Sequence, residues 1–178
     1  MKSRRIDFEG CASLEIATAR LRLVVTLDRG PRIAFLGRPG ADNVFYWKVG
    51  SAGYGDWRML GGHRVWATRP LADESQDAYA ADNDPCELAE KEGVITVTGA
   101  MHPFLRRGVT IKELDEEAVE VTSFVRNDGP MLYSGGVWSL ACAQPRPGMT
   151  VGIPLGDRHL DWDLVRVVFA RNWAGHTS

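Results

Sequence analysis

Between Gly61 and Pro85 the chain gathers a histidine, an arginine, a tryptophan and several short acids beside a pair of glycines. The stretch opens as Gly61-Gly62-His63-Arg64-Val65-Trp66, runs on through a polar segment containing Tyr79, and closes on Asp82-Asn83-Asp84-Pro85. This is the side-chain inventory of a sugar site. A pyranose presents flat C–H faces edged with hydroxyls, so recognising it takes an aromatic ring to stack on and charged or amide groups for paired hydrogen bonds. Trp66 and Tyr79 are the candidates for stacking, and His63, Arg64, Asp82 and Asn83 for hydrogen bonding. The same letters also spell ordinary architecture: a Gly-Gly turn, a core tryptophan and an Asp-Asn-Asp-Pro turn.

Other groups that could do chemistry are fewer. Gly61-Gly62 is not a phosphate cradle, because no Lys and Ser/Thr follow in P-loop order and no helix pattern succeeds it. Thr122-Ser123 and Ser134-Gly135-Gly136 lack the Gly-x-Ser-x-Gly order of a nucleophile elbow, which argues against a serine hydrolase. His102, between Met101 and Pro103, falls on a connection between two strands, where an acid or base could be presented. Asp157, His159, Asp161 and Asp163 alternate with period two and would share one face of a strand as metal ligands. Such alternation is more often a solvated strand face, so no metal or cofactor is expected. Trp138 suits the wall or floor of a pocket, since an indole exchanges no proton near neutrality.

The elements that must position these groups are strands. At 178 residues, with a net charge of −2 and no basic run beyond Arg4-Arg5 and Arg106-Arg107, the chain reads as one globular domain with no call on nucleic acid. No apolar run is long enough to span a bilayer, and the basic N-terminus lacks the apolar core of a signal peptide. Cys11, Cys86 and Cys142 form no Cys-x-x-Cys spacing, and reduced thiols fit a cytoplasmic protein.

Alternation of apolar and polar residues recurs throughout. Leu21, Leu23, Val25 and Leu27 form one face of a strand that Asp28-Arg29-Gly30-Pro31 turns into a second, from Arg32 to Leu36. Ile95 with Val97, and Val109 with Ile111, make further faces. Asp115-Glu116-Glu117 turns into the run Val119 to Val125, and Asn127-Asp128-Gly129-Pro130 leads into Leu132 to Ala143. Short strands punctuated by Gly, Pro, Asn and Asp predict an all-β antiparallel sandwich over residues 1–178. Residues 1–12 read as an N-terminal arm, 69–85 as a long functional loop and 171–178 as a tail. Cys86 to Glu92 suits either a short helix or a strand.

Taken together, the Gly61-to-Trp66 motif, Tyr79, Asp82-Asn83-Asp84-Pro85, and the Val125-Arg126-Asn127-Asp128-Gly129 turn before Val137-Trp138-Ser139-Leu140 resemble an uncharacterised family of the galactose mutarotase-like superfamily. The likeness covers roughly residues 13–155. It implies a supersandwich whose concave face holds a carbohydrate, as in the aldose 1-epimerases and glucose-6-phosphate 1-epimerases. There a general-acid His protonates the ring oxygen while a general-base Glu takes the anomeric proton. This sequence has Trp138 near the position of the acid, and the resemblance implies that the late strands carrying the base lie beyond its end. The C-terminus is accordingly expected to be incomplete, with self-association covering exposed sheet.

Three readings follow. The first is a carbohydrate-binding domain with His63, Arg64, Trp66, Tyr79, Asp82 and Asn83 lining the site and Trp138 as its floor. The second is an aldose 1-epimerase-like isomerase with His63 or His102 as acid. The third is a structural or assembly module in which the glycine and tryptophan motif is purely architectural.

Overall fold

The structure, a computed structural model, describes residues 1–50, 53–55, 57–68 and 79–150. The chain divides into two compact units, Met1–Pro145 and Arg146–Ser178, and the sheets all lie in the first. The acidic and histidine alternation at Asp157, His159, Asp161 and Asp163, and the tail at 171–178, fall outside the described residues, as do positions 69–78 of the long loop.

Twelve strands are present among the described residues: β1 Lys2–Phe8, β2 Cys11–Ala17, β3 Arg22–Thr26, β4 Arg32–Gly37, β5 Gly53–Tyr54, β6 Trp57–Arg58, β7 Gly62–Thr68, β8 Glu87–Lys91, β9 Val94–Thr98, β10 Leu105–Glu113, β11 Val119–Asn127 and β12 Gly136–Cys142. They form a six-stranded sheet in the order β1-β2-β3-β4-β7-β12, a four-stranded sheet in the order β11-β10-β9-β8, and the small β5-β6 ladder. Every pairing is antiparallel. The expected all-β antiparallel sandwich is the observed fold class.

The period-two pattern explains how the sheets close on each other. Leu14, Ile16, Leu23, Val25, Ile33 and Val65 point from the large sheet into the same core that Ile95, Val97, Val109 and Ile111 enter from the small one. Burying such side chains contributes about 1.5–3 kcal/mol each before the cost of ordering them. The residues between them point outward, and on the large sheet that outer face is not simply solvated. At one end Glu15 is clamped by Arg4 (2.6 Å) and Arg22 (2.7 Å), and these two guanidiniums hold its carboxyl below the usual range, Arg22 most strongly.

Two elements differ from expectation. Residues 1–12 are not an arm: β1 pairs with β2 along its whole length, from Lys2↔Ala17 to Phe8↔Cys11. Glu9 and Gly10 both take positive φ, as a tight hairpin turn requires, and the charged side chains of β1 suit an edge strand. Cys86 to Glu92 resolves as strand β8, turning at Glu92-Gly93, again with two positive φ angles. Among the described residues no helix is long and apolar enough to cross a membrane.

Candidate functional site

Strand β7 carries the Gly-Gly-His-Arg-Val-Trp motif, and its alternation divides the motif between two environments. His63 and Val65 face the space between the sheets, while Arg64 and Trp66 face outward. The glycines make the strand's entry possible. Gly61 and Gly62 take φ of 93° and 74°, and a Cβ on either would collide with a carbonyl, of Tyr46 and Ile33 respectively. The pair therefore lets backbone approach backbone.

On the outer face, Trp66 sits at the centre of an aromatic group. Tyr79 and Trp138 meet it edge-on at 4.9 and 5.6 Å, and Trp57 of β6 closes the group at 4.9 Å from Tyr79. The register pairs Trp138 of β12 directly with Trp66, which is why the two rings meet. Arg64 lies over Trp66, its guanidinium carbon 4.5 Å from the ring centre, and 5.4 Å from Trp57. Trp66 is only 1% exposed, so it cannot be the stacking platform. Trp57, Tyr79 and Trp138, each half-buried, are the rings of this group with accessible surface, so Tyr79 keeps the stacking position expected of it.

Asp82 and Asn83 hold this end together. Asp82 is buried; its Oδ2 accepts from the wholly buried Arg32 and, at 2.7 Å, from the Trp57 indole. Arg32 also donates to the Gly61 carbonyl at 3.2 Å. Burial lowers the Arg32 guanidinium to about 10, against the pull of Asp82. Asn83 pairs like a strand residue with Arg58, accepting from its N–H at 2.7 Å and donating to its carbonyl at 3.3 Å. These contacts clamp β6 and β4: Asp82 is buried within them, while Asn83 stays half-buried at the margin of the ring group. Arg32 and Trp57 are partners that reading the sequence missed. Arg32 follows a Gly-Pro turn like any polar strand residue, and its partner lies fifty positions away.

The histidines stand elsewhere. His63 Nε2 is 2.6 Å from Ser139 Oγ, which is 3.3 Å from Ser123 Oγ, and the imidazole walls an apolar cavity of about 200 Å³ lined by Leu23, Ile33, Phe45 and Val121. Burial holds His63 below the ordinary imidazole value, so it is neutral at pH 7. Its contribution to stability falls as pH drops through the normal histidine range, where the unfolded chain takes up the proton first. His102 is exposed on the β9–β10 connection, its N–H bonded to the Leu105 carbonyl. Neither histidine shares the outer face with Arg64, contrary to the grouping of His63 with it. Among the described residues no group of His, Cys, Asp and Glu could hold a metal ion.

Cys11, Cys86 and Cys142 are free thiols, and burial pushes Cys86 up to about 12. No protein family, curated protein or solved structure matches this chain.

Proposed function

We propose that this chain is a carbohydrate-binding domain of mutarotase-like sandwich type, taking its ligand on the outer face of the large sheet. The observation that carries the reading is Arg64: a guanidinium held between two indoles, on a face where four aromatic rings touch in sequence, with its Nε buried and unpartnered. The half-buried edges of Trp57 and Trp138 supply the apolar contact that a sugar ring takes. Asp82, Asn83 and Trp66 preorganise these groups. Intrinsic tryptophan fluorescence, titrated with a panel of neutral and acidic hexoses, tests the reading. A saturable change with at least one sugar is the expected result; none with any sugar leaves the motif architectural and favours the assembly module.

Binding without turnover fits the residues better than epimerisation. Hemiacetal opening needs an acid and a base on opposite sides of the anomeric centre, whereas this face gathers a guanidinium and aromatic rings, with His63 turned into the space between the sheets. Polarimetry of freshly dissolved α-D-glucose and α-D-galactose should show no acceleration over buffer. A clear acceleration lost in His63→Ala or His102→Ala would restore the isomerase.

A further inference from the structure

We propose that the sugar taken by this site is acidic, and that its carboxylate or phosphate docks on Arg64. The inference rests on the carbohydrate reading above, but a separate observation, the balance of buried charge, carries it.

Five charged side chains among the described residues are buried: Glu15, Arg32, Arg64, Asp82 and Arg107. Glu15 is neutralised within the outer face by Arg4 and Arg22. Arg107 donates to the Ala80 carbonyl and lies in the field of Asp82 and Asp84. That leaves Arg32 and Arg64, which stand directly opposite each other across β4 and β7. Like charges in that position repel, and burial sharpens the repulsion. Among the described residues only one buried carboxylate, Asp82, is near them, and its Oδ2 is occupied by Arg32 and the Trp57 indole.

Arg64 is left with a neutral partner. Among the described residues its one hydrogen bond is to the Met59 carbonyl at 3.3 Å, an oxygen that also accepts from Arg32 at 3.4 Å. A shared carbonyl and two indole faces soften a positive charge without cancelling it. Two donors here, Arg64 Nε and Trp66 Nε1, are buried with no acceptor among the described residues. A neutral hexose could satisfy donors but would leave the charge uncompensated. An oxyanion does both, and a guanidinium fork matches two oxygens of a carboxylate or phosphate. Trp57 of the β5–β6 ladder forms part of the cover over Arg64.

Isothermal titration of the whole chain compares D-glucose and D-galactose with D-glucuronate, D-galacturonate and the two hexose 6-phosphates, with acetate and inorganic phosphate as sugar-free anions. An acidic sugar should bind at least about tenfold more tightly than its neutral parent, with the preference shrinking as salt rises. Uronates alone, or hexose phosphates alone, would identify the source of the anion. The preference should vanish in Arg64→Gln and be partly kept in Arg64→Lys, both checked for folding by near-ultraviolet circular dichroism. Should either variant fail to fold, the salt dependence and the neutral-to-acidic ratio of the unmodified chain still decide the question. Equal affinity for neutral and acidic sugars overturns the acidic ligand and leaves the carbohydrate reading standing. Inorganic phosphate or acetate binding as tightly as any sugar overturns the carbohydrate reading and leaves an anion site. No binding by any probe removes both.

Discussion

Asp82→Asn is expected to lower global stability by about 3–5 kcal/mol, the usual cost of stranding one partner of a buried ion pair. Arg32 is completely buried and Asp82 nearly so, which means that no water can take over when the carboxylate loses its charge. The neutral amide could still accept from the Trp57 indole, so shape is preserved and the change isolates the charge. The effect is amplified by Arg64 directly across the ladder, because two guanidiniums then face each other with no buried acid of the described residues between them. Asp84, two residues on and exposed, is the control: Asp84→Asn should shift stability by no more than about 0.5 kcal/mol. Urea unfolding followed by fluorescence separates the two. A loss below about 1 kcal/mol for Asp82→Asn would mean that the pair is not closed as described.

Trp66→Ala should cost a similar amount, about 3–5 kcal/mol, for a different reason. The indole is 1% exposed and touches Tyr79, Trp57 and Trp138 at once, so removing it opens a cavity at the centre of the cluster. Arg64 loses its nearer cation–π partner in the same step. Near-ultraviolet circular dichroism should fall with stability, since the coupled rings dominate that signal. Trp138→Ala removes only a half-buried ring at the margin and should cost distinctly less. Equal losses would place Trp66 at the surface and reopen its role in stacking.

The sandwich is legible in the sequence wherever one face of a strand is apolar. Leu23 with Val25, Ile95 with Val97 and Val109 with Ile111 announce both their strands and the face each buries, because a strand between two sheets must alternate. Strand β1 escapes that logic. Its side chains are largely charged and exposed, so backbone pairing and the Glu9-Gly10 turn are all that mark it. The β5–β6 ladder, at two residues a side, is too short to carry any period.

The site is legible in composition more than in arrangement. Period two already separates His63 and Val65 from Arg64 and Trp66, so the division of the motif between two faces follows from the sequence once β7 is accepted as a strand. What spacing alone does not convey is that Asp82 and Asn83 are consumed by Arg32, Trp57 and Arg58. Those contacts span 25 and 50 positions and exist only because β4, β6 and β7 converge at one end of the large sheet.

The decisive comparison is the sugar affinity of Arg64→Ala measured beside its urea midpoint, with Val65→Ala carried through the same titration. Arg64 and Val65 are neighbours on β7 that face opposite layers, so one variant removes a donor from the outer face and the other opens a hole between the sheets. The expected result is a split. Arg64→Ala loses about 1.5–3 kcal/mol of binding, the range for a charged hydrogen bond; the packing it gives up against the two indoles is offset by relief of the like-charge contact with Arg32, so its stability falls less than that of Val65→Ala. Val65→Ala loses about 1–3 kcal/mol of stability and keeps its affinity. If Arg64→Ala instead melts like Val65→Ala and binds sugar as the unmodified chain does, Arg64 is a packing residue and the outer face of the large sheet is not a carbohydrate site.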